Sequence, residues 1–182
     1  MTKQDPHRTD EQLMCDYQSG EAAAFDALYA RHKGGLFRYC TRQLEGQAAI
    51  AHELYQDVWM RVIQSRERYQ ATALFSTWLY HIAHNILIDH WRSQRPHDDI
   101  EMHAEYLTSN QPTPDNLLDQ QQAAAQFQQA LMQLPRDQLN TFLLKTEGQF
   151  SLEDIADITG TTRETVKSRL RYAMDKLRSA LT

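Results

Sequence analysis

Residues 151–181 read SLEDIADITGTTRETVKSRLRYAMDKLRSAL, and this stretch has the pattern of two helices joined by a short turn. Ser151 is followed three residues later by Asp154, which makes a capping-box-like helix start with Asp where Glu or Gln is usual. Apolar residues at helical spacing then predict a short helix that ends near Gly160. A three-residue turn and a second helix should follow.

The second helix of this stretch is predicted to pack through an apolar face. Small Ala156 in the first helix would let the two helices cross closely, and Gly160 would relieve the turn. This spacing predicts a helix-turn-helix. The residues expected to be buried in the second helix are Val166, Leu170, Ala173, Met174 and Leu177.

The opposite face of the second helix carries long polar and basic side chains. In a major groove such a face offers donors to guanine edges and to phosphates. The alternative is a solvated charged face on a helical hairpin. Because turn spacing, core spacing and the basic face agree, we favour DNA binding, with these candidate residues: Arg163, Glu164, Thr165, Lys167, Ser168, Arg171 and Tyr172.

The net charge of −5 is unevenly distributed along the chain. Residues 1–95 hold 11 basic and 11 acidic side chains, whereas residues 96–125 hold six acids and no Lys or Arg. Residues 161–182 hold six basic and two acidic side chains. An acidic chain with a basic end is compatible with a nucleic-acid partner.

Residues 96–116, PHDDIEMHAEYLTSNQPTPDN, contain three prolines and no Lys or Arg, which is typical of a linker with little fixed structure. We therefore predict an all-α fold of two small helical domains, residues 10–95 and 125–182, joined by a flexible acidic linker at 96–124. The expected helices lie at about 10–19, 21–45, 48–67, 75–94 and 117–133, with a further one starting at Pro135. Gly34 and Gly35 would weaken the second of these helices or kink it.

No apolar run is long enough to span a membrane, and the N-terminus lacks the apolar core of a signal peptide. We therefore expect a cytoplasmic protein without membrane insertion. Cys15 and Cys40 form no CxxC pair and are expected to be reduced thiols. No cofactor is expected.

Residues 75–95, FSTWLYHIAHNILIDHWRSQR, predict a helix that is apolar around much of its surface. Two of its rows are expected to be core, while a third row, His81, Asn85, Ile88 and Arg92, could face outward. That row is either an ordinary amphipathic surface or a platform for unstacked bases. The two core rows are Phe75, Trp78, Leu79, Ile82 and Ile86, and Tyr80, His84, Leu87 and Trp91.

Histidines first suggest a metal site in this helix. His81 and His84 could share a metal, but no third ligand lies at helical spacing. His52-Glu53 likewise lacks the second His of an HExxH motif. No metal site is therefore expected.

Three segments together resemble a known family. They are FSTWLYHIAHNILIDHWRSQR (75–95), AHELYQDVWMRVI (51–63) and LPRDQLNTFLLKTEGQFSLEDIADITGTTRETVKSRLRYAMDKLR (134–178). Their order is similar to that in the extracytoplasmic-function (ECF) group of the sigma-70 family, bacterial RNA polymerase initiation factors. The resemblance covers roughly residues 11–95 and 125–181.

The resemblance implies a protein that is not an enzyme but starts transcription of a specific regulon. Residues 134–178 would read the −35 element and also contact the polymerase flap, and the acidic linker would occupy the RNA exit path. An anti-sigma factor is a further implied partner. The −10 element would be melted and bound as a single strand by Tyr69, Phe75, Asn85, Ile88 and Arg92, and the clamp helices of the largest polymerase subunit would be bound by Glu53, Gln56, Asp57, Met60 and Arg61.

The sequence also departs from the family pattern. His52 stands where an acidic residue is usual and Trp59 where Phe is common, and His81 and His84 replace frequent arginines. Thr161–Glu164 replaces a turn of smaller residues, so promoter preference does not carry over. Two other classes stay open from the residues alone: a free-standing helix-turn-helix regulator and a metal-dependent helical hydrolase.

Overall fold

The structure, a computed structural model, describes the backbone of residues 8–44, 46–94 and 118–180, and the side chains of all of these except 118–123. In this part of the chain every regular element is helical, which confirms the predicted all-α class. Of the predicted linker, 96–124, residues 96–117 lie outside it and residues 118–124 form the start of a helix. The elements are α1 (Asp10–Gln18), α2 (Ala22–Gln43), α3 (Ala48–Gln64), a 3-10 helix (Arg66–Arg68), α4 (Phe75–Ser93), α5 (Leu118–Met132), α6 (Arg136–Thr146), α7 (Leu152–Thr159) and α8 (Arg163–Ala180).

Helices α1 to α4 pack into the first half of the fold. Thr9 and Gln12 form a capping box at the start of α1, which satisfies backbone N–H groups there. The Asp10 carboxylate then binds α2 through His32 Nε2 at 2.6 Å and Arg31 Nη1 at 2.7 Å. The hydrogen bond from His32 lowers the pKa of Asp10. The carboxylate therefore stays ionised at neutral pH and fixes α1 against α2.

Helix α3 buries one face and leaves the other open. Ala51, Leu54, Val58 and Val62 recur at helical spacing and are at most 8% exposed. Tyr55 and Trp59 are buried beside them. The polar face of α3 is therefore free for a partner.

Helices α5 to α8 form the second half, and α7 and α8 form the predicted helix-turn-helix. The Ser151 hydroxyl accepts a hydrogen bond from the Asp154 N–H at 3.1 Å, and Asp154 Oδ2 accepts one from the Ser151 N–H at 3.0 Å. Gly160 ends α7 in the left-handed region with a φ of 63°. The Thr162 hydroxyl accepts from the Thr165 N–H at 3.2 Å and caps α8.

Three local expectations are wrong or shifted. Met174 is 45% exposed rather than core, whereas Val166, Ala173 and Leu177 are buried as expected. Helix α2 runs unbroken through Gly34 and Gly35 because its apolar face is packed on both sides of them. Pro135 is the residue before α6 rather than its first residue.

The two halves are in direct contact, which the sequence did not predict. Helix α7 packs against α4, and α6 packs against α2. The Phe150 ring, just before α7, meets the Tyr80 ring edge-on at 4.9 Å between centroids. The hydrophobic core therefore continues from the first half into the second.

None of the helices within 8–44, 46–94 and 118–180 combines the length and the apolar character needed to cross a membrane.

Two glycines allow a matched test of this fold. Gly160→Ala should lower stability by about 1 kcal/mol, because a side chain disfavours the left-handed backbone at that turn. Gly34→Ala should instead raise stability by up to about 1 kcal/mol, because Gly34 lies inside a helix. There the new methyl meets only the end of the Arg38 side chain, at 3.4 Å.

Thermal denaturation of the full chain should therefore shift by roughly 2–4 °C in opposite directions for the two variants. Equal shifts of the same sign would contradict the turn geometry at Gly160.

Candidate nucleic-acid and polymerase surfaces

A groove of about 950 Å³ lies between the end of α3, the segment after it and the outer face of α4. We call it the α4 groove. Its far wall comes from the second half, at the end of α7 and the turn of the helix-turn-helix. Its lining residues are Arg61, Ser65, Arg68, Tyr69, Gln70, Thr72, Trp78, His81, Ile82, His84, Asn85, Ile86, Ile88, Asp89, Arg92, Ile158, Thr159 and Gly160.

The α4 groove combines the chemistry of a single-stranded nucleic-acid site. Arg61, Arg68 and Arg92 supply positive charge, against one acid, Asp89, which lies 3.7 Å from Arg92 Nη1. Tyr69 and Trp78 are aromatic and lie 5.0 Å apart between ring centroids. Rings, cations and an amide along one groove can bind bases and phosphates of an unpaired strand.

Four of the five residues predicted to bind the −10 strand line this groove: Tyr69, Asn85, Ile88 and Arg92. The fifth, Phe75, has no exposed surface and packs against Tyr69 and His32, so its ring is not available to a base here. Phe75 acts instead as support for the groove wall. The base-binding roles of the other four stay predictions.

Four residues of the two rows expected in the core also line the groove, His84 and three apolar residues. Trp78, Ile82 and Ile86 are only partly buried, and they form its apolar floor. Helical periodicity placed them in the stripe of Phe75 and Leu79, which are fully buried. The part of the stripe with Trp78, Ile82 and Ile86 is packed less completely, and α7 covers only some of it.

Tyr69 has an unusual environment at the groove. Its side chain is 6% exposed, yet its hydroxyl has no hydrogen-bond partner among the described residues. Burial raises the pKa of Tyr69 to about 12, so the hydroxyl stays protonated and can donate. An unpaired buried donor is costly unless a ligand accepts from it.

His81 and His84 do not form a metal site with other residues of the described chain. His84 Nδ1 lies 3.1 Å from Asn140 Nδ2, and His81 Nδ1 lies 3.3 Å from Asn85 Nδ2. Burial lowers the pKa of His84 to about 4, which keeps it neutral near pH 7. Over the described residues no three His, Cys, Asp or Glu side chains come together as a metal-binding group.

The outward face of α8 is the recognition surface expected from the sequence. Lys167 and Arg171 are exposed there, and Arg171 lies over the Tyr172 ring at 5.1 Å. Arg163 is held by Glu153 of α7 at 2.5 Å and by Glu164 at 3.4 Å. Thr165 and Ser168 are half-buried at the edge of this face. The seven predicted residues therefore share one side of one helix, and their contacts with DNA stay predictions.

The exposed face of α3 carries all five residues predicted to bind the polymerase: Glu53, Gln56, Asp57, Met60 and Arg61. Met60 is 51% exposed, and Ile63 beside it is 39% exposed. Arg61 also lines the α4 groove, so the two surfaces adjoin.

Helix α2 adds aromatic surface that the sequence reasoning missed. Phe37 is 42% exposed and meets the Tyr55 ring of α3 edge-on at 5.4 Å between centroids. Tyr29 is 36% exposed, and its hydroxyl accepts a hydrogen bond from the Tyr55 hydroxyl at 3.2 Å. In the sequence, Tyr29 and Phe37 are aromatic residues that fall outside the helical spacing of the buried residues of α2. The candidate protein-binding face is therefore a joint α2–α3 surface.

Two family descriptions match this chain. Sigma-70 region 2 matches residues 28–97, which include most of α2 and all of α3 and α4. Sigma-70, region 4 matches residues 124–177, which include the helix-turn-helix. Together they cover more than half of the chain and divide it where the fold does.

Curated and solved relatives agree. The ECF RNA polymerase sigma factor SigL of Mycobacterium tuberculosis is 35% identical over 167 residues, covering 90% of this chain and 92% of the relative. The fold is similar to CnrH in complex with the cytosolic domain of CnrY, with a TM-score of 0.70, 20% identity and coverage of 94% and 96%. It is also similar to the sigma factor RpoE in complex with the anti-sigma factor NepR from Bartonella quintana, with a TM-score of 0.65, 23% identity and coverage of 86% and 96%.

The helix-turn-helix, the groove on α4 and these two family matches agree in order and position along the sequence. The chain belongs to the extracytoplasmic-function group of the sigma-70 family of RNA polymerase initiation factors.

Proposed function

We propose that residues 10–95 bind the polymerase and the melted −10 strand, while residues 125–182 read the −35 element. The observation that carries this proposal is the α4 groove, in which four residues expected to bind the −10 strand, Arg92 among them, lie together with two further arginines, Arg61 and Arg68. Segment 96–124 joins the two readers. The chain then acts as a sigma factor that starts transcription at promoters with both elements.

At the −35 element, α8 enters the major groove with Lys167 and Arg171 foremost. Both are exposed, and among the described residues Lys167 has no ion pair and Arg171 contacts only the Tyr172 ring. The capping box of α7 and the Thr162 cap fix the angle of α8. Glu153 holds Arg163 at 2.5 Å, which orients its guanidinium before DNA arrives.

At the −10 element, a base leaves the duplex and enters the α4 groove. Unstacking costs about a few kcal/mol, which contacts in the pocket and stacking on Trp78 offset. The unpaired Tyr69 hydroxyl donates to the base or its phosphate. Asn85 supplies an amide, and Arg92 neutralises the backbone.

Core polymerase docks on the α2–α3 surface. Exposed Met60, Ile63 and Phe37 supply apolar area, surrounded by polar residues of α3. Apolar anchors with a polar rim are typical of protein interfaces. Helices α6 and α8 also contact the polymerase, at its flap.

The protein acts in the cytoplasm, where polymerase and promoter DNA are, and it has no enzymatic activity of its own. An anti-sigma factor is a further proposed partner. Two proteins of similar fold were solved in complex with a partner. These are RpoE with the anti-sigma factor NepR, and CnrH with the cytosolic domain of CnrY.

Reconstitution with core polymerase tests the assignment of the −35 surface. Wild type should bind core and give promoter-specific run-off transcripts from a genomic library. Lys167→Ala or Arg171→Ala should weaken −35-dependent transcription by about 5- to 100-fold, because each loses a contact to a base or phosphate. Binding to core should be unchanged.

The control is Lys176→Ala, which removes the same charge from the same helix. The Lys176 ammonium donates to the Gln133 carbonyl at 3.1 Å, on the side of α5. It should retain transcription. Loss of core binding in Lys167→Ala, or tight operator binding without polymerase, would contradict the proposed division of labour.

Tyr69→Phe separates a role in DNA binding from a role in folding. Removing the unpaired buried hydroxyl should leave stability unchanged or raise it by up to about 1 kcal/mol. Promoter opening should fall by about 3- to 10-fold, because one hydrogen bond to the strand is lost. Permanganate footprinting of the −10 region and thermal denaturation measure the two effects.

Tyr17→Phe is the matched control, since Tyr17 is also buried in the first half but lies against Phe25 and outside the α4 groove. It should leave promoter opening unchanged. Equal opening by Tyr69→Phe and wild type would remove Tyr69 from the proposed site.

A further inference from the structure

The segment that joins α3 to α4, residues 65–74, forms one wall of the α4 groove. We call it the α3–α4 segment. It includes the 3-10 helix near its start and then continues without regular structure to Leu74. The Thr72 N–H donates to the Gln70 carbonyl at 2.8 Å, and within the described residues 70–74 no second backbone hydrogen bond joins two of them. The members that line the groove are Ser65, Arg68, Tyr69, Gln70 and Thr72.

Gln18, the last residue of α1, holds the middle of this segment. Its Nε2 donates to the Glu67 carbonyl at 3.1 Å and to the Tyr69 carbonyl at 3.4 Å. Both carbonyls lie at the end of the 3-10 helix, where backbone acceptors lack partners within the helix. One side-chain amide therefore fixes the backbone on both sides of Arg68, and with it the place from which the Tyr69 ring enters the groove.

Glu11, two turns earlier on α1, holds the end of the same segment. Its Oε1 accepts from the Phe75 N–H at 2.7 Å, at the first residue of α4. Leu74, the residue before α4, provides no side-chain cap, so Glu11 does from another helix what an N-cap residue does locally. Burial alone would raise the pKa of Glu11, but the hydrogen bonds that it accepts, that of Phe75 first among them, hold the pKa below its ordinary value. The ionised carboxylate suits the positive end of the α4 dipole.

Helix α1 can support the segment because α1 is itself fixed away from the groove. Leu13 and Met14 are at most 1% exposed, and Asp10 is bound to α2 by two hydrogen bonds. None of these residues lines the α4 groove. Glu11 and Gln18 are seven residues apart, or about 10 Å along the helix, on one side of it. A single rigid element therefore sets the distance between the middle of the segment and the start of α4.

We propose that Glu11 and Gln18 are positioning residues for capture of the −10 strand, which hold the α3–α4 segment in the conformation that presents Tyr69 to a flipped base. The proposal rests on the proposed function of the α4 groove and deepens it. Neither residue lines the groove, so both act through the backbone of the segment. A segment already held in its bound conformation loses less conformational entropy when a ligand binds. Without these hydrogen bonds a smaller fraction of chains is competent, and the affinity for the strand falls with that fraction.

Two substitutions of similar side-chain size remove these hydrogen bonds. Gln18→Leu removes the donor, and Glu11→Leu removes the acceptor. Hydrogen–deuterium exchange of the full chain, followed by mass spectrometry, should become at least about threefold faster over residues 67–75 in each variant, because local opening of the segment costs less. Exchange in α2 should be unchanged.

The effect on DNA is measured with holoenzyme and two short single strands. One is the non-template strand of the −10 region of a promoter found by run-off transcription, and the other has the same composition in scrambled order. The preference is the ratio of the two affinities. In Gln18→Leu and Glu11→Leu it should fall about 3- to 10-fold, because capture of a base needs a positioned segment. Affinity for the scrambled strand, which depends on the arginines of the groove, should be unchanged.

Matched variants separate positioning from charge and from surface change. Glu11→Gln loses the same charge as Glu11→Leu but keeps an oxygen that accepts from the Phe75 N–H, so its preference should stay within about twofold of wild type. Gln47→Leu repeats the Gln18 substitution at an exposed residue before α3, outside the groove. It should change neither the exchange over residues 67–75 nor the preference.

Faster exchange together with a lower preference supports the proposal, and a preserved preference in Glu11→Gln supports the role of the acceptor. Unchanged exchange over residues 67–75 overturns the support of the segment by α1, and faster exchange with an unchanged preference overturns the positioning role. Equal loss of affinity for both strands, with weaker binding to core, overturns it as well, because that is the result of a residue needed only for folding.

Failure of the proposed function is distinguishable from these outcomes. Wild-type holoenzyme would then show no preference between the two strands, and the positioning role would fall with it. The exchange measurement needs no DNA, so it would still report whether α1 holds the segment.

Discussion

A helix that is apolar around most of its circumference must be covered on several sides, and α4 imposes that requirement on this chain. Helices α1, α2 and α3 cover the side that carries Phe75, Leu79 and Leu87. Helix α7 covers part of the rest, and the α4 groove is the part left between them. The groove thus exists because two separate sequence segments share one apolar helix. A strand of DNA that lies in it would cover surface that no helix covers.

Polar groups inside this packing decide how firmly the halves hold together. Asn140 of α6 is 4% exposed, and its Oδ1 accepts from the Tyr39 hydroxyl and from Gln43 Nε2 of α2, in hydrogen bonds that are worth about 0.5–1.5 kcal/mol each. Gln43 Oε1 is buried without a partner among the described residues, which offsets part of that gain by about 1–3 kcal/mol. These hydrogen bonds therefore specify which residues of the two halves meet, while their net contribution to stability is moderate.

Much of this fold could be predicted from the sequence because helices are set by local patterns. The bounds of α1, α3 and α4 and the caps at Ser151 and Gly160 depend on neighbours within four residues. The contact of the halves could not be predicted, since Asn140 in mid-helix is indistinguishable from a solvated residue. Phe75 was expected to meet DNA from the family resemblance, although periodicity put it in a core row, where it lies. Periodicity also put Ile82 and Ile86 in the core, but both are only partly buried. Their exposure depends on where α7 docks, and periodicity carries no information about that.

The ion pairs of α8 have a consequence for how its DNA binding responds to salt. Arg169 forms an ion pair with Asp137, and Arg163 forms one with Glu153, so two of the positive charges of α8 are balanced by acids within the protein. Lys167 and Arg171 have no ion pair among the described residues. Each phosphate contact releases close to one condensed counterion, with a slope of about −0.9 in log affinity against log salt. In the proposed binding mode these two side chains would release about two counterions, so the affinity of this half for DNA would depend only weakly on salt.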